Sequence, residues 1–370
     1  MGQLMKKRVF HSLISLLGYL ICLKNPLFRL LPGVRRNVMV IKIDRLGDLL
    51  LFLPYMRKIK GWYKERNCRV SILVRPELRE LAERAEIADK IIVCPAYRNP
   101  LQWTLFRLGF WLGNRIDTAV NAGCLEDELI FCSYPEKQVS VYLGDGSPDR
   151  NAIDVSAMSI RQWNDAILEA LGITREHPCF DYDIFCDPVP QEWKNGAYIA
   201  VCAEASEPKK SWEPEKFAEL LGRLSDAGRK VVLIGTDYER GEKLLSGCSH
   251  DILNLCGKTT IFQLFTVIRD AELLISNDTG SAHVGAAVGT RTVIICGKGD
   301  YGIFVPYAPE LEGKQVFSVF SDLDCSGCHW RNPKEDCRKA SVWRCISEIS
   351  VEKVWEKVQT LMTAKGKENE

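Results

Sequence analysis

Short apolar runs rich in β-branched residues alternate with longer amphipathic stretches along most of this chain. That alternation predicts strands and helices in succession, hence a parallel α/β fold. The first run, VMVIKI from Val38 to Ile43, shows no sustained polar alternation, as a strand covered on both faces requires. A polar loop, Asp44-Arg45-Leu46-Gly47-Asp48, ends it, and an apolar helix runs on from Leu49. Further strands are expected at Arg69–Val74, Lys90–Val93, Ile116–Val120 and Gln138–Tyr142, and a helix at Gln162–Leu171, closed by Gly172. A polar stretch with Pro178, Pro188 and Pro190, residues 177–196, interrupts the pattern. It restarts with AYIAVC from Ala197. A helix at Glu213–Leu224 follows, with Pro214 in its first turn, and then a strand at Lys230–Ile234. A short strand at Asp251–Cys256, a helix at Ile261–Arg269 and a strand at Leu273–Ser276 come next. A small-residue helix then ends at Gly289, and TVIIC forms another strand. Val351–Met362 is an amphipathic helix before a Lys/Glu-rich tail, expected to be disordered.

The restart implies two successive α/β halves, and 370 residues suffice for both. The expected division is 1–36 for an N-terminal amphipathic helix and 37–185 for a first Rossmann-like domain. Residues 190–348 form a second, with a Cys-rich loop at 325–345, and 349–370 form the terminal helix and tail. A formal net charge of +1 with both signs interleaved, and no basic stripe with aromatics, exclude a nucleic-acid surface. Most of the fifteen cysteines sit in apolar runs, as Cys202, Cys256 and Cys296 do, which fits reduced thiols in a cytoplasmic core. Lys6-Lys7-Arg8 precedes fifteen residues, Val9–Leu23, free of Asp, Glu, Lys and Arg. At helical rise these span about 22 Å, short of a hydrocarbon core of about 30 Å. The segment is expected to lie in a membrane interface, drawn to anionic lipid; a helix packed on the protein's own surface is the alternative.

Three segments fall at the carboxyl ends of predicted strands, where ligands bind in such folds. In Asp44–Asp48, Gly47 lets backbone approach a ligand, and Asp48 is either a helix cap or a general base. In Cys202–Trp212, CAEASEPKKSW, Ser206 and two lysines at a helix entrance suit a diphosphate, or else make a solvated basic loop. In SNDTGSAH, a helix opens at the end of a strand, a seat for phosphate; Asp278 either caps that helix or holds a sugar hydroxyl, and His283 lies one turn on. Separately, Cys325-Ser-Gly-Cys328, Cys337 and Cys345 have the count and spacing of a tetrahedral zinc or iron site, with His329 beside them. A redox pair or unliganded thiols are the alternatives.

Taken together, these segments resemble glycosyltransferase family 9, the family of the lipopolysaccharide heptosyltransferases, over roughly Val38 to Val358. IKIDRLGDLLLFLP is similar to the family's opening strand–loop–helix, Lys210-Ser-Trp212-Glu-Pro to its Lys-x-Trp-Pro element, and LCGKTTIFQLFTVIRDAELLISNDTGSAHVGAAVGT to its C-terminal signature. The resemblance implies the GT-B architecture, two Rossmann-like doubly wound domains facing across a cleft, with the acceptor in the first and the donor in the second. It implies an inverting transfer of a heptose-like sugar from a nucleotide-diphosphate donor (ADP-heptose-like) to a hydroxyl of a glycan or lipid-linked acceptor, or of a protein. No catalytic cofactor is implied. Asp48 matches the general base, with Arg45 and Gly47 on the acceptor side. Ser206, Lys210, Asp278, Thr279, Gly280 and His283 fall on the donor side. Some members, protein heptosyltransferases, hold iron near the corresponding cysteines, which implies a structural zinc or iron at Cys325, Cys328, Cys337 and Cys345. The implied location is the cytoplasmic face of the inner membrane. Three departures, Glu213 before Pro214, Ser281 after Gly280 and CAEASEPKK for a Gly-rich loop, fall on the donor side. A non-catalytic binding or scaffold protein and a nucleotide-sugar epimerase are the alternative functions.

Overall fold

A computed structural model of the chain describes residues 35–95, 100–114, 116–123, 135–142, 152–174, 178–194, 196–205, 207–246, 252–299, 301–328 and 333–364. The predicted N-terminal helix, Ser206, His329 and the tail from 365 lie outside them. Two compact units divide the chain, Met1–Phe180 and Asp181–Glu370. Residues 181–185 thus fall with the second unit, where Phe185, fully buried, stacks on Phe262 and packs against Phe265.

The first unit comprises β1 (Asn37–Ile41), α1 (Leu46–Lys64), β2 (Arg69–Val74), α2 (Arg79–Arg84), β3 (Lys90–Val93), α3 (Pro100–Gly113), β4 (Thr118–Asn121), β5 (Lys137–Tyr142), β6 (Ile153–Asp154) and α4 (Ile160–Leu171). Its strands form one sheet in the order β3-β2-β1-β4-β5-β6, every pairing parallel. Met39, Ile41, Ile43 and Leu73 pack with Phe110 and Ile116 beneath that sheet. Ser159 caps α4 with a capping box to Gln162, and Gly172 closes it in the left-handed region.

The second unit comprises β7 (Ile199–Cys202), α5 (Pro214–Asp226), β8 (Val231–Ile234), α6 (Tyr238–Leu245), β9 (Leu253–Asn254), α7 (Ile261–Arg269), β10 (Leu273–Asn277), α8 (Gly280–Ala287), β11 (Thr292–Ile295), β12 (Val316–Val319), α9 (Glu335–Lys339), α10 (Arg344–Ser347) and α11 (Val351–Ala364). Its sheet runs β12-β11-β10-β7-β8-β9, again all parallel. Numbered from its own first strand, that is the same 3-2-1-4-5-6 order as the first unit, the doubly wound Rossmann pattern. A Cβ at Gly285 would lie 2.4 Å from Thr292 Oγ1 and 2.7 Å from Leu274, so only glycine lets α8 sit flush on β10 and β11. The core fills with Trp212, Phe217 and Leu220 under α5 and with Val354 and Val358 of α11. Among the described residues, no helix is long and apolar enough to cross a membrane.

Candidate functional site

In a doubly wound sheet the crevice opens where strand order reverses, outside the carboxyl ends of the two central strands. In the first unit these are β1 and β4. β1 continues through Lys42, 1% exposed, whose ammonium pairs with Asp44 Oδ2 at 2.7 Å and donates to the Ala122 carbonyl at 3.0 Å. The Phe52 and Trp163 rings lie 5.5 and 5.8 Å from it. Burial of this cation is tolerable because carboxylate, carbonyl and two ring faces surround it. A Cβ at Gly123 would come within 2.5 Å of Asp44 Oδ2, so glycine at the end of β4 makes room for that carboxylate. The pair thereby ties the ends of both central strands together just before α1. Arg45 is the N-cap of α1, Gly47 is buried in its first turn, and the half-buried Asp48 accepts from the Arg45 N–H at 3.2 Å. Asp48 is therefore a cap by geometry, on a turn at the switch point.

In the second unit the switch point lies between β7 and β10. After β7 the chain passes through a short turn, Pro208–Lys210, to Trp212, which is fully buried. Lys209 is committed away from the crevice: its ammonium donates to the Arg338 carbonyl at 2.9 Å and lies 4.7 Å from the Trp343 ring centre. Lys210 is half-buried on the same turn. Trp212 donates its ring N–H to the Ile349 carbonyl at 2.9 Å, anchoring this loop to the approach of α11. Asn277, fully buried at the end of β10, accepts from the Trp212 N–H at 3.0 Å and donates to the Ala203 carbonyl at 3.0 Å. One amide side chain thus binds the loop bearing Lys210 to the end of β10, directly before Asp278.

Asp278, Thr279 and Gly280 follow directly. Thr279 is the N-cap of α8 and makes no side-chain capping bond. His283, 7% exposed, has Nε2 3.9 Å from Asp278 Oδ1 and Nδ1 hydrogen-bonded to the Tyr307 hydroxyl. Burial, then the Asp278 carboxylate, push the Tyr307 phenol well above its usual pKa, so it stays protonated. The turn at a helix N-terminus, with a lysine-bearing loop alongside, is suited to bind an anion such as a diphosphate.

Three residues here escape a reading of motifs. Asn277 is visible only as a turn residue. Glu204 accepts from the Thr236 N–H at 2.8 Å, the Thr236 hydroxyl at 2.7 Å and the Asp237 N–H at 3.1 Å, fastening the exit of β7 to the turn after β8. Tyr307 lies 24 residues beyond the histidine it meets. A cavity of about 420 Å³ between α5 and α6 borders the same region, with Glu204, Cys256, Arg240 and Lys243 among its lining.

The cysteine cluster behaves differently from its spacing. Burial pushes the Cys345 thiol up to about 11, and Cys325, Cys328 and Cys337 act on it in the same sense, so the four are neighbours. Yet among the described residues no three His, Cys, Asp or Glu side chains lie close enough to hold a metal ion. The zinc or iron expected at Cys325, Cys328, Cys337 and Cys345 is therefore not shown among the described residues. Cys345 is sunk with Trp343 and Ile349 in the core of the unit, whereas Cys337 rides on α9 and only packs against that core.

Residues 165–330 match the profile of glycosyltransferase family 9 (heptosyltransferase). Lipopolysaccharide heptosyltransferase 3 of Escherichia coli K12 is 27% identical over 295 residues, 72% of this chain and 83% of that protein. Lipopolysaccharide heptosyltransferase 2 of the same strain is 33% identical over 96 residues, 24% of this chain and only 28% of that protein. Among solved structures, a family 9 glycosyl transferase from Veillonella parvula superposes with a TM-score of 0.67 at 17% identity, covering 90% of this chain and 99% of the other. The E. coli ADP-heptose lipopolysaccharide heptosyltransferase II does so with a TM-score of 0.60 at 17% identity, covering 89% and 99%. Residues 165–330 thus carry the family 9 profile, and the two Rossmann-like units have the GT-B fold of the solved family 9 structures, so this chain resembles the heptosyltransferases of glycosyltransferase family 9.

Proposed function

We propose that this enzyme transfers a heptose-like sugar, with inversion, from a nucleotide-diphosphate donor to a hydroxyl of a glycan or lipid-linked acceptor. The observation that supports the reading is the repeated strand order, with Asp48 following β1 in one unit and Lys210 and Asp278 following β7 and β10 in the other. In this reading Asp48 takes the proton of the acceptor hydroxyl as its oxygen attacks the anomeric carbon. The bond from that carbon to the diphosphate breaks on the opposite face, and its electron pair leaves with the nucleoside diphosphate. Lys210, the Thr279-Gly280 backbone and His283 stabilise the departing charge, and Ser206 adds a hydroxyl. Asp278 holds the donor sugar, and Arg45 and Gly47 border the acceptor. The mechanism uses no metal.

Support for the donor class comes from the solved ADP-heptose enzyme of the same fold. An acceptor of lipopolysaccharide type fits the curated relatives, and with it a cytoplasmic enzyme peripheral to the inner membrane. The test is a thermal-shift screen of nucleotide sugars, followed by NMR of the product's anomeric configuration. A stabilising nucleotide sugar and an inverted product are expected. A product of retained configuration overturns the mechanism. Donor turnover without any acceptor identifies an epimerase instead, and donor binding without turnover a scaffold.

A further inference from the structure

We infer that Tyr307 is a positioning residue for His283: it fixes the imidazole as the tautomer protonated on Nε2, with that N–H turned toward Asp278 and the donor seat. The inference rests on the reading of the β10–α8 turn as that seat.

A neutral imidazole has one donor nitrogen and one acceptor nitrogen, and its partners decide which is which. Nδ1 meets the Tyr307 hydroxyl, and Nε2 faces Asp278 Oδ1 at 3.9 Å, beyond direct hydrogen-bond distance. Among the described residues His283 Nδ1 is the partner of the buried Tyr307 hydroxyl, so the phenol hydrogen is paired only if Nδ1 accepts it, which puts the ring proton on Nε2. The carboxylate selects the same state, since it favours a proton over a lone pair on the nitrogen facing it. The opposite tautomer leaves the buried phenol hydrogen without an acceptor among the described residues and sets a lone pair against the carboxylate. Phe304, edge-on to the imidazole at 6.3 Å, packs against the ring.

Tyr307 is itself held in place. Its backbone N–H donates to Glu312 Oε2 at 2.9 Å. Glu312 also accepts from the Ser318 N–H at 2.8 Å and from the Ser318 hydroxyl at 3.0 Å. A continuous path, Ser318 to Glu312 to Tyr307 to His283, thus runs from β12 to the switch point. At its end the Nε2–H of that tautomer is aimed beside Asp278. A diphosphate or sugar oxygen in that space can receive a hydrogen bond from it.

The experiment uses the full chain with ¹⁵N-histidine. Long-range ¹H–¹⁵N spectra at about pH 8, above the usual histidine range, assign the His283 tautomer. The expected state is a bare, hydrogen-bonded Nδ1 and a protonated Nε2; a proton on Nδ1 overturns the inference. A double-mutant cycle with ADP as the probe tests the coupling. Tyr307→Phe should weaken ADP binding roughly three- to tenfold, the range of one hydrogen bond. In a His283→Gln background the same substitution should change it less than twofold. Equal effects in both backgrounds show that Tyr307 does not act through His283. If ADP fails to bind the wild type, the donor-seat reading fails, and the tautomer spectrum still decides the Tyr307–His283 pairing.

Discussion

Replacing Asn277 by alanine should loosen the second unit and its loop bearing Lys210 together. Alanine leaves the Trp212 N–H, buried beneath α5, without the acceptor it has at 3.0 Å. An unpaired buried donor costs about 1–3 kcal/mol. The bond to the Ala203 carbonyl at 3.0 Å is also lost, but that oxygen keeps the Ser211 hydroxyl at 3.3 Å, so only about 1 kcal/mol is added. The contact to the Glu204 carbonyl at 3.4 Å is too long to count. The sum is about 2–4 kcal/mol. For a unit of this size each kcal/mol lowers the melting temperature by about 2–4 °C, so the second unit's transition should fall by roughly 5–15 °C. Scanning calorimetry follows it separately from the first unit's, and ADP titration of the folded variant should show weaker binding. A transition within about 1 °C of wild type, with unchanged ADP affinity, would refute the idea that Asn277 joins β7 to β10.

Other consequences follow from the same geometry. Lys210→Ala should weaken ADP binding by about tenfold or more, as loss of a charge-assisted contact does, while Lys209→Ala should leave it within about twofold and instead lower the melting temperature; calorimetric titration of both variants separates the two lysines. Lys42→Met strands Asp44 beside Gly123 and should cost the first unit about 3 kcal/mol, with part restored by adding Asp44→Asn, as read by thermal unfolding. Burial pushes the Cys256 thiol from 9.0 up to about 12. Its stabilising effect is complete below pH 9, where the unfolded thiol is protonated too, and is lost as pH rises toward 12, by up to about 1.4 kcal/mol per pH unit. The fall in melting temperature between pH 9 and 11 should therefore be shallower in Cys256→Ala. Deleting residues 9–23 should reduce binding to vesicles of anionic lipid in a sedimentation assay; undiminished binding refutes an interfacial role for that segment.

Strand positions are legible in the sequence because buried parallel strands are continuous apolar runs. The strands Arg69–Val74 and Lys90–Val93, and likewise the amphipathic helix Ile261–Arg269, begin and end where the pattern predicts. The expected strand at 116–120 is found at Thr118–Asn121, with buried Asp117 at its entrance donating its N–H to the Asn37 carbonyl at 2.9 Å and accepting from the Asn37 N–H on its carboxylate at 2.8 Å. The two-residue β6 and the partly polar β12 are set by their neighbours in the sheet and leave no periodic signal. The candidate site is legible where its residues are close in sequence, as in Asp278–His283. It is illegible where it depends on long-range meetings: Tyr307 with His283, Glu204 with Thr236, and Lys209 with Trp343 and the Arg338 carbonyl, which tell one lysine of the pair from the other. The cysteines illustrate the converse. Their spacing suggests a ligand set, but packing assigns Cys345 to the core, and spacing carries no information about burial.

The central claim is a division of labour, with donor binding in the second unit and proton removal in the first. One measurement tests it most directly: turnover and donor dissociation constant determined on the same preparation of Asp48→Asn. The account predicts a kcat lower by about 10²–10⁴-fold, the contribution of a general base, with donor affinity within about twofold of wild type. A fully active variant would contradict it.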